Sequence, residues 1–562
     1  MLGVSRHGVI AGLSALLACN SSSWAAQASS VDFNDRSEGS GLEIVTWSGS
    51  VEKPHILESD GNGVLVLDYD GDGYQDLYFV AAFRIPRNEE AMEERSALYR
   101  NRGDGTFVEV SHRAGVGARV YGHGGCAGDY DADGLPDIYL TAYGDNILYR
   151  NNGDGTFTDV TVGTGVAEPG WSIGCTFLDA DGDGDQDLYV GNYIVAPWEE
   201  ILAARRTRRW RGKVEVMDGP RGLVEAPNTY YVNKGDGTFD DATEASGLAE
   251  GRLGYTMGVA SFDYDNDGHV DIYVANDSTA NRLYRNHGDG TFEEVGTWTG
   301  SSYNADGRVQ GSMGVHYGDY DGDGWFDIGV TNFALDYYAL YRNLEGELFQ
   351  DESFNSQLAV TSFAPLGWGV LFFDADNDGD VDLYFSNGHI YPQVDEDESL
   401  GETYRQHNQL LLNEGGKYHD VSAEAGDAFD VKLSSRGAVF FDLENDGDLD
   451  LAVSNQDEKP NLFVNESTAG SWLRVDLRQT VGAHRPLGTR VEIDVEGVKQ
   501  IREASSGGSY ASELDPRLHF GLGEASKVHR MSILWPDGRR SRFEDLPANQ
   551  QLVIWRPSIS DP

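Results

Sequence analysis

Seven times along the 562-residue chain an aspartate opens a loop with carboxylates at positions 1, 3, 5 and 9 and glycine at position 6. The sets are Asp68, Asp70, Asp72 and Asp76; Asp129, Asp131, Asp133 and Asp137; Asp179, Asp181, Asp183 and Asp187; Asp263, Asp265, Asp267 and Asp271; Asp319, Asp321, Asp323 and Asp327; Asp374, Asp376, Asp378 and Asp382; and Asp442, Glu444, Asp446 and Asp450. Carboxylates in that rhythm wrap oxygen round a hard cation, and the glycine permits the tight turn. Calcium is the implied ion, up to seven of them. The seventh loop departs with a longer acid, Glu444, at its third position. No loop has glutamate at position 12, so these are not EF-hands and no helix-opening switch is expected. The expected role is structural: calcium neutralises clustered acid and fastens the fold.

Each loop sits between two strand-like runs, such as Val64 to Leu67 and Asp76 to Val80. A third run follows, Leu98 to Asn101, then a Gly-Asp-Gly turn and a fourth run from Phe107. Asp-Gly between apolar runs marks a hairpin. The unit is a four-stranded meander of about fifty residues, the size of a propeller blade. Loops and third runs each occur seven times, but only six fourth runs follow a third run, because nothing like Gly-Asp-Gly-Thr-Phe comes after Leu462. The stretch Phe33 to Leu42 matches Phe239 to Leu248 in length, aromatic start and Gly-Leu finish. The N-terminal stretch therefore supplies the missing outer strand. The predicted class is all-β: a seven-bladed β-propeller over residues 31–465, closed by an N-terminal strand so that no blade edge is orphaned, plus a small β-sandwich-like domain over 471–557. Alternation at Trp472 to Leu477, Arg490 to Val495, Met531 to Trp535 and Gln551 to Trp555 marks the strands of that second unit.

A meander puts all the acidic loops at one end and the connections between second and third strands at the other. Every large insertion is such a connection: 84–96, 193–228 and 388–409. Variable loops on a rigid scaffold carry function, so that face is the expected binding surface. In the second insertion, Pro197 opens a predicted helix running into Arg205, Arg206, Arg208, Arg209 and Arg211, with acid at its start as the helix dipole favours. It reads either as a solvated helix or as a cationic lid, beside Trp198, Trp210 and Arg221, for an anionic ligand. The third insertion carries Asp395, Glu396, Asp397 and Glu398, its charge opposite. Arg221, His389, Tyr391 and Asp395 are the candidate catalytic residues should this face be an active site. No Ser-His-Asp set or nucleophile elbow is present.

The net charge of −51 is patterned: the loops hold 28 of the 93 acidic residues, and the tail from Trp472 balances 13 basic against 12 acidic residues. Seven calcium ions would bring the whole to about −37. Nucleic acid, which needs a basic footprint, is excluded as a partner. Forty per cent hydrophobic residues separate the chain from disordered acidic polymers. Residues 1–28 have the layout of a signal peptide: Arg6 and His7, then an apolar run from Gly8 to Ala18 too short to span a bilayer. Leu16-Leu-Ala-Cys19 resembles a lipobox that would leave a lipid anchor on Cys19, whereas Ala26-Gln-Ala28 would serve an ordinary signal peptidase. Either exit places the protein outside the cytoplasm, secreted, periplasmic or on the outer membrane. Cys126 and Cys175 lie three and four residues before their loops, so alternation points them to opposite blade faces and buried thiols are expected rather than a disulfide. Arg102-Gly-Asp104 occupies a free slot in the turn repeat, where chance accounts for it.

The seven loops with Leu-Tyr-Arg-Asn-x-Gly-Asp-Gly-Thr-Phe repeats resemble FG-GAP, or VCBS, propeller repeats, as in integrin α-subunits. Leu487-Gly-Thr-Arg-Val491, Ser506-Gly-Gly-Ser-Tyr510, Leu518-His-Phe-Gly-Leu-Gly523 and Trp535-Pro-Asp-Gly538 look like the ASPIC and UnbV domain that closes proteins similar to the cartilage acidic protein family. Asn387-Gly-His-Ile-Tyr-Pro392 and Gly219-Pro-Arg221 look like that family's insertions, but Met217 and Asp218 stand where relatives often carry cysteines. The resemblance implies a calcium-binding propeller that acts as a scaffold for an extracellular protein or glycan. The alternative it implies is an enzyme of secondary metabolism, of cyclase or alkylating type, with its pocket on the insertion face. A closed, apolar-walled cavity with converging arginine, tyrosine and carboxylates would favour the second; an open, flat, polar face would favour the first.

Overall fold

In the computed structural model, residues 31–87, 93–204, 206–467 and 470–557 are described. The expected signal segment and Cys19 lie outside them. The protein is nearly all β and propeller-like, and among the described residues no helix is long and apolar enough to cross a membrane.

All repeats but the last supply a four-stranded antiparallel meander of their own, and the second and third are joined into one eight-stranded sheet where Pro169–Leu178 pairs with Asp137–Asp145. The first comprises Val64–Leu67, Asp76–Phe79, Ala97–Asn101 and Phe107–Glu109, paired in that order. The last repeat has three strands of its own, Ser435–Phe441, Asp450–Asn455 and Asn461–Asn465, and the N-terminal strand Phe33–Asp35 pairs antiparallel with the third, Phe33 opposite Asn465. Phe33 is fully buried between Phe373 and Phe429.

Neighbouring sheets are stitched by the asparagine that ends each third strand. Asn151 donates its amide to the Tyr69 carbonyl of the preceding sheet, and Asn233, Asn286, Asn343, Asn413 and Asn465 do the same to Tyr130, Ala180, Tyr264, Tyr320 and Ala375. Asn101 of the first sheet donates at 2.9 Å to Leu443 of the seventh. A buried amide satisfied in this way fixes the spacing between sheets.

Two expectations are corrected here. Cys126 and Cys175 form a disulfide, with Cα atoms 5.8 Å apart. They do point to opposite faces of their own sheets, but opposite faces of adjacent sheets face each other, and both cysteines sit in one apolar cluster between them. The predicted arginine-ended helix spans only Trp198–Ala203. Thr207–Trp210 instead pairs with Val214–Met217 in a hairpin, where Val214, Val216 and Met217 are buried and Glu215 is exposed. Period-two alternation overrode the charge order.

The C-terminal module has two sheets. One orders Leu518–Gly523, Ser471–Arg478 and Gln550–Trp555; the other Val498–Glu503, Arg490–Val495, Lys527–Leu534 and Arg540–Pro547. They enclose an apolar core that includes Trp535 and Phe520.

Candidate functional site

The acidic loops are preorganised. In the first, Asp68 accepts the amides of Asp72 and Gly73, and Asp76 accepts those of Tyr69 and Asn101, so position 9 also ties the loop to the third strand. Loop after loop brings three carboxylates to within 4.8 Å of one another, for example Asp129, Asp131 and Asp137 or Asp263, Asp265 and Asp271. Burial pushes the Asp129 carboxyl up to about 6 and that of Asp179 to about 7, with neighbouring acids adding to the shift. Asp129 Oδ1, Asp131 Oδ1 and Asp321 Oδ1 are buried with no hydrogen-bond partner. Hard oxygen donors, crowded and partly orphaned, fit a divalent cation of calcium type. In several loops an arginine of the third strand supplies positive charge: Arg100 pairs with Asp70 and Asp72, Arg285 with Asp265 and Asp267, and Arg342 with Asp321 and Asp323. At the seventh loop the charge comes from outside the repeat, where the buried Arg474 of the C-terminal module pairs with Asp442.

That contact belongs to a larger one that sequence reasoning missed: the C-terminal module covers the acidic-loop face. The His484 amide donates to Asp129, the Ala483 amide to Gly184, Arg490 to Asn266 and Gly324, the Gly523 amide to Asn377, and His519 meets the Gly447 carbonyl. From this face a finger, Ser505 to Glu513, enters between the first strands. Ser509 bridges to Val315, Gly507 to Ala260 and Glu513 to Leu65. At its tip Tyr510 is fully buried 4.7 Å from Trp368, ring to ring, and its hydroxyl accepts the Gly61 amide.

Seven glycines, Gly63, Gly124, Gly174, Gly258, Gly314, Gly369 and Gly437, each stand five residues before their loop's first aspartate; five of them make room for the finger, while at Gly174 and Gly258 the nearest atoms belong to the next sheet. A Cβ on Gly63 would lie 1.9 Å from the Ala511 carbonyl oxygen, and one on Gly369 2.9 Å from Ser509 Oγ. On Gly314 it would lie 2.0 Å from the Trp368 carbonyl of the next sheet. The invariant spacing was legible as a signal.

The insertions meet on the other face. Glu402 is their hub, accepting Trp210 Nε1 at 2.9 Å and Arg211 Nη1 at 2.8 Å, with His389 Nε2 at 3.2 Å. Lys213 lies 3.8 Å from Asp397, so the two oppositely charged insertions do pair. Between them opens a cavity of about 310 Å³ walled by Tyr193, Trp210, Met257, Met313, Phe333, Trp368 and Tyr391, with Arg208, Arg221, Asp218, Asp277 and Asp336 among its polar groups. Of the four candidates, Arg221 and Tyr391 line it. His389 is fully buried behind the wall, accepting the Tyr391 amide, and Asp395 turns away to cap the Tyr404 amide. Trp198 is also elsewhere, packed on Phe83, Tyr121 and Tyr143. Asp277, which the sequence did not single out, accepts the Tyr193 hydroxyl at 2.9 Å, and burial raises its carboxyl above the usual range.

Residues 482–560 match the ASPIC and UnbV family, and 68–140, 129–190, 219–274 and 263–330 match the FG-GAP-like repeat. Cartilage acidic protein 1 of Mus musculus is 28% identical over 333 residues, 57% of this chain and 48% of the relative; that of Homo sapiens is 27% identical over 329 residues, 57% and 47%. The chain thus spans about half the length of these curated relatives. Among solved structures, that of an Agrocybe aegerita lectin aligns with 65% of this chain and 80% of its own at 16% identity, TM-score 0.39. Repeats and tail agree: the chain carries FG-GAP-like repeats followed by an ASPIC and UnbV domain, and is similar to cartilage acidic protein 1.

Proposed function

We propose that this is an exported seven-bladed ring, fastened by calcium at its acidic loops, that binds its ligand on the opposite face in the pocket between the insertions. The observation that carries this reading is the cavity itself. A flat, polar face would suit a broad protein surface; a hollow of about 310 Å³ with aromatic and methionine walls suits a small molecule or one terminal group of a larger partner. The calcium assignment is supported by the crowded carboxylates. The residues that would hold the ions are those at positions 1, 3, 5 and 9 of each loop, with Asp442 contested by Arg474. Export is supported by the N-terminal layout and by the disulfide, which belongs to an oxidising compartment.

Two measurements separate the faces. Chelation with EGTA lowers the melting temperature by many degrees, because ions that bind only the folded chain stabilise it by mass action; an unchanged melting curve removes calcium from the account. A ligand screen by tryptophan fluorescence finds binders that Trp210→Ala abolishes. Binders indifferent to that change would place recognition elsewhere.

Asp277 favours a second reading, in which the bound molecule is also turned over. A raised carboxyl hydrogen-bonded to Tyr193 inside a pocket has the form of a general acid. Asp277→Asn would then retain binding and lose turnover.

A further inference from the structure

The charges lining the pocket are not equivalent. Its three carboxylates are already answered by the protein: Asp218 by Arg206 at 3.2 Å, Asp277 by the hydroxyls of Tyr193 and Ser278, each at 2.9 Å, and Asp336 by Gln310 Nε2 at 2.7 Å. The two arginines are not. Among the described residues neither Arg208 nor Arg221 has a carboxylate within ion-pair distance. Arg221 acts on Asp277 through space only, and Arg208 acts in the same way on the Tyr391 phenol. Arg208 lies over the Trp210 ring, 5.2 Å from its centroid, where the aromatic face holds the guanidinium without consuming its donors. The Tyr391 hydroxyl has no protein hydrogen-bond partner among the described residues. In a chain of net charge −51, Arg206, Arg208 and Arg221 bring this pocket's three carboxylates to balance, and two of those guanidiniums have no carboxylate partner.

Resting on the pocket reading above, we propose that the ligand is an organic anion: a molecule with one or two rings seated against Trp210, Phe333 and Tyr391 and a carboxylate gripped by Arg208 and Arg221. Guanidinium and carboxylate pair in a planar fork of charge-assisted hydrogen bonds, a geometry that a neutral amide meets only in part. The cavity, about 310 Å³, has room for a body of that size. A cationic ligand would find Asp218 already paired with Arg206 and both oxygens of Asp277 already accepting hydroxyls. An uncharged ligand leaves both guanidiniums without a counter-charge.

The experiment uses the full chain with calcium and a panel of one- and two-ring aromatic carboxylates, 2-naphthoate among them, each paired with its carboxamide and titrated by calorimetry. The acid is expected to bind ten-fold or more tighter than its amide. Arg208→Gln with Arg221→Gln should bring the acid down to the amide's affinity and leave the amide unchanged, at an unaltered melting temperature. If acid and amide bind equally to the unsubstituted protein, the anion assignment is overturned while the pocket reading stands. If no member of the panel binds, both fall.

Discussion

The two faces of the propeller-like domain handle charge in opposite ways. On the acidic-loop face, carboxylates are concentrated and everything around them answers that concentration: third-strand arginines, Arg474, backbone amides and, on our reading, calcium. The C-terminal module then covers the result. On the insertion face the balance is local, the hub Glu402 satisfying Trp210 and Arg211 while Arg208 and Arg221 stay uncommitted. One face commits its charge to holding the fold, and on our proposal the other keeps some for a ligand. The finger that ends in Tyr510 joins the two, because it starts in the module on the first face and finishes in the aromatic cluster beneath the pocket of the second.

The largest effect should follow from closing the passage between them. Gly63→Val places a branched side chain where even a Cβ would sit 1.9 Å from the Ala511 carbonyl and 2.9 Å from Gly124 Cα. Neither neighbour is a flexible side chain, so the finger or the strand must shift, at about 1–3 kcal/mol or more. A lower melting temperature together with weaker ligand binding is expected. If binding persists while stability falls, the finger does not support the pocket and the two faces are independent.

A subtler test uses the finger's own buried acid. Glu513 accepts hydrogen bonds from Ser506 Oγ and from the Gly507 and Ala127 amides, yet its burial pushes the carboxyl up to about 8. An unfolded glutamate titrates at about 4.3, so the folded protein favours the protonated form. That contribution is complete below the unfolded value and is lost as pH rises through about 8. At saturating calcium, melting temperature should therefore fall from about pH 5 to pH 9, and Glu513→Gln should flatten part of the slope. Equal slopes in the two proteins would show that another group controls it.

What the sequence disclosed follows from how local each signal is. Loops, strands and the outer strand at Phe33 are written in contiguous residues, and the pairing of Phe33–Asp35 with Asn461–Asn465 is the one expected. The finger was harder to read, although Ser506-Gly-Gly-Ser-Tyr510 and the seven glycines were both visible. Glycine within a strand ordinarily signals a bulge or weakness, and only the arrangement of the sheets turns five of them into a lining. The cysteines failed for a related reason: alternation within one sheet says nothing about the sheet beside it. The pocket depends on residues far apart in sequence, Tyr193, Arg221, Phe333 and Tyr391, and on a hairpin whose arginines read as a helix. Asp395 and His389 were chosen for chemical type, and the fold gave both to backbone amides.

The smallest effect concerns what holds the hairpin over the pocket. Lys213 and Asp397 form its outer pair, 3.8 Å apart and exposed, where solvent screening leaves an ion pair little to contribute. Glu402 is the inner anchor, its carboxylate buried and shared by Trp210 and Arg211. Glu402→Ala strands those donors and should cost about 1–3 kcal/mol, loosening Trp210 and weakening the ligand. Lys213→Ala should leave melting and binding both unchanged. If the exposed pair proves the stronger of the two, the opposite charges of the insertions hold this face by long-range attraction rather than by buried hydrogen bonds. The contrast between a charge-bound lower face and a contact-bound upper one would then dissolve.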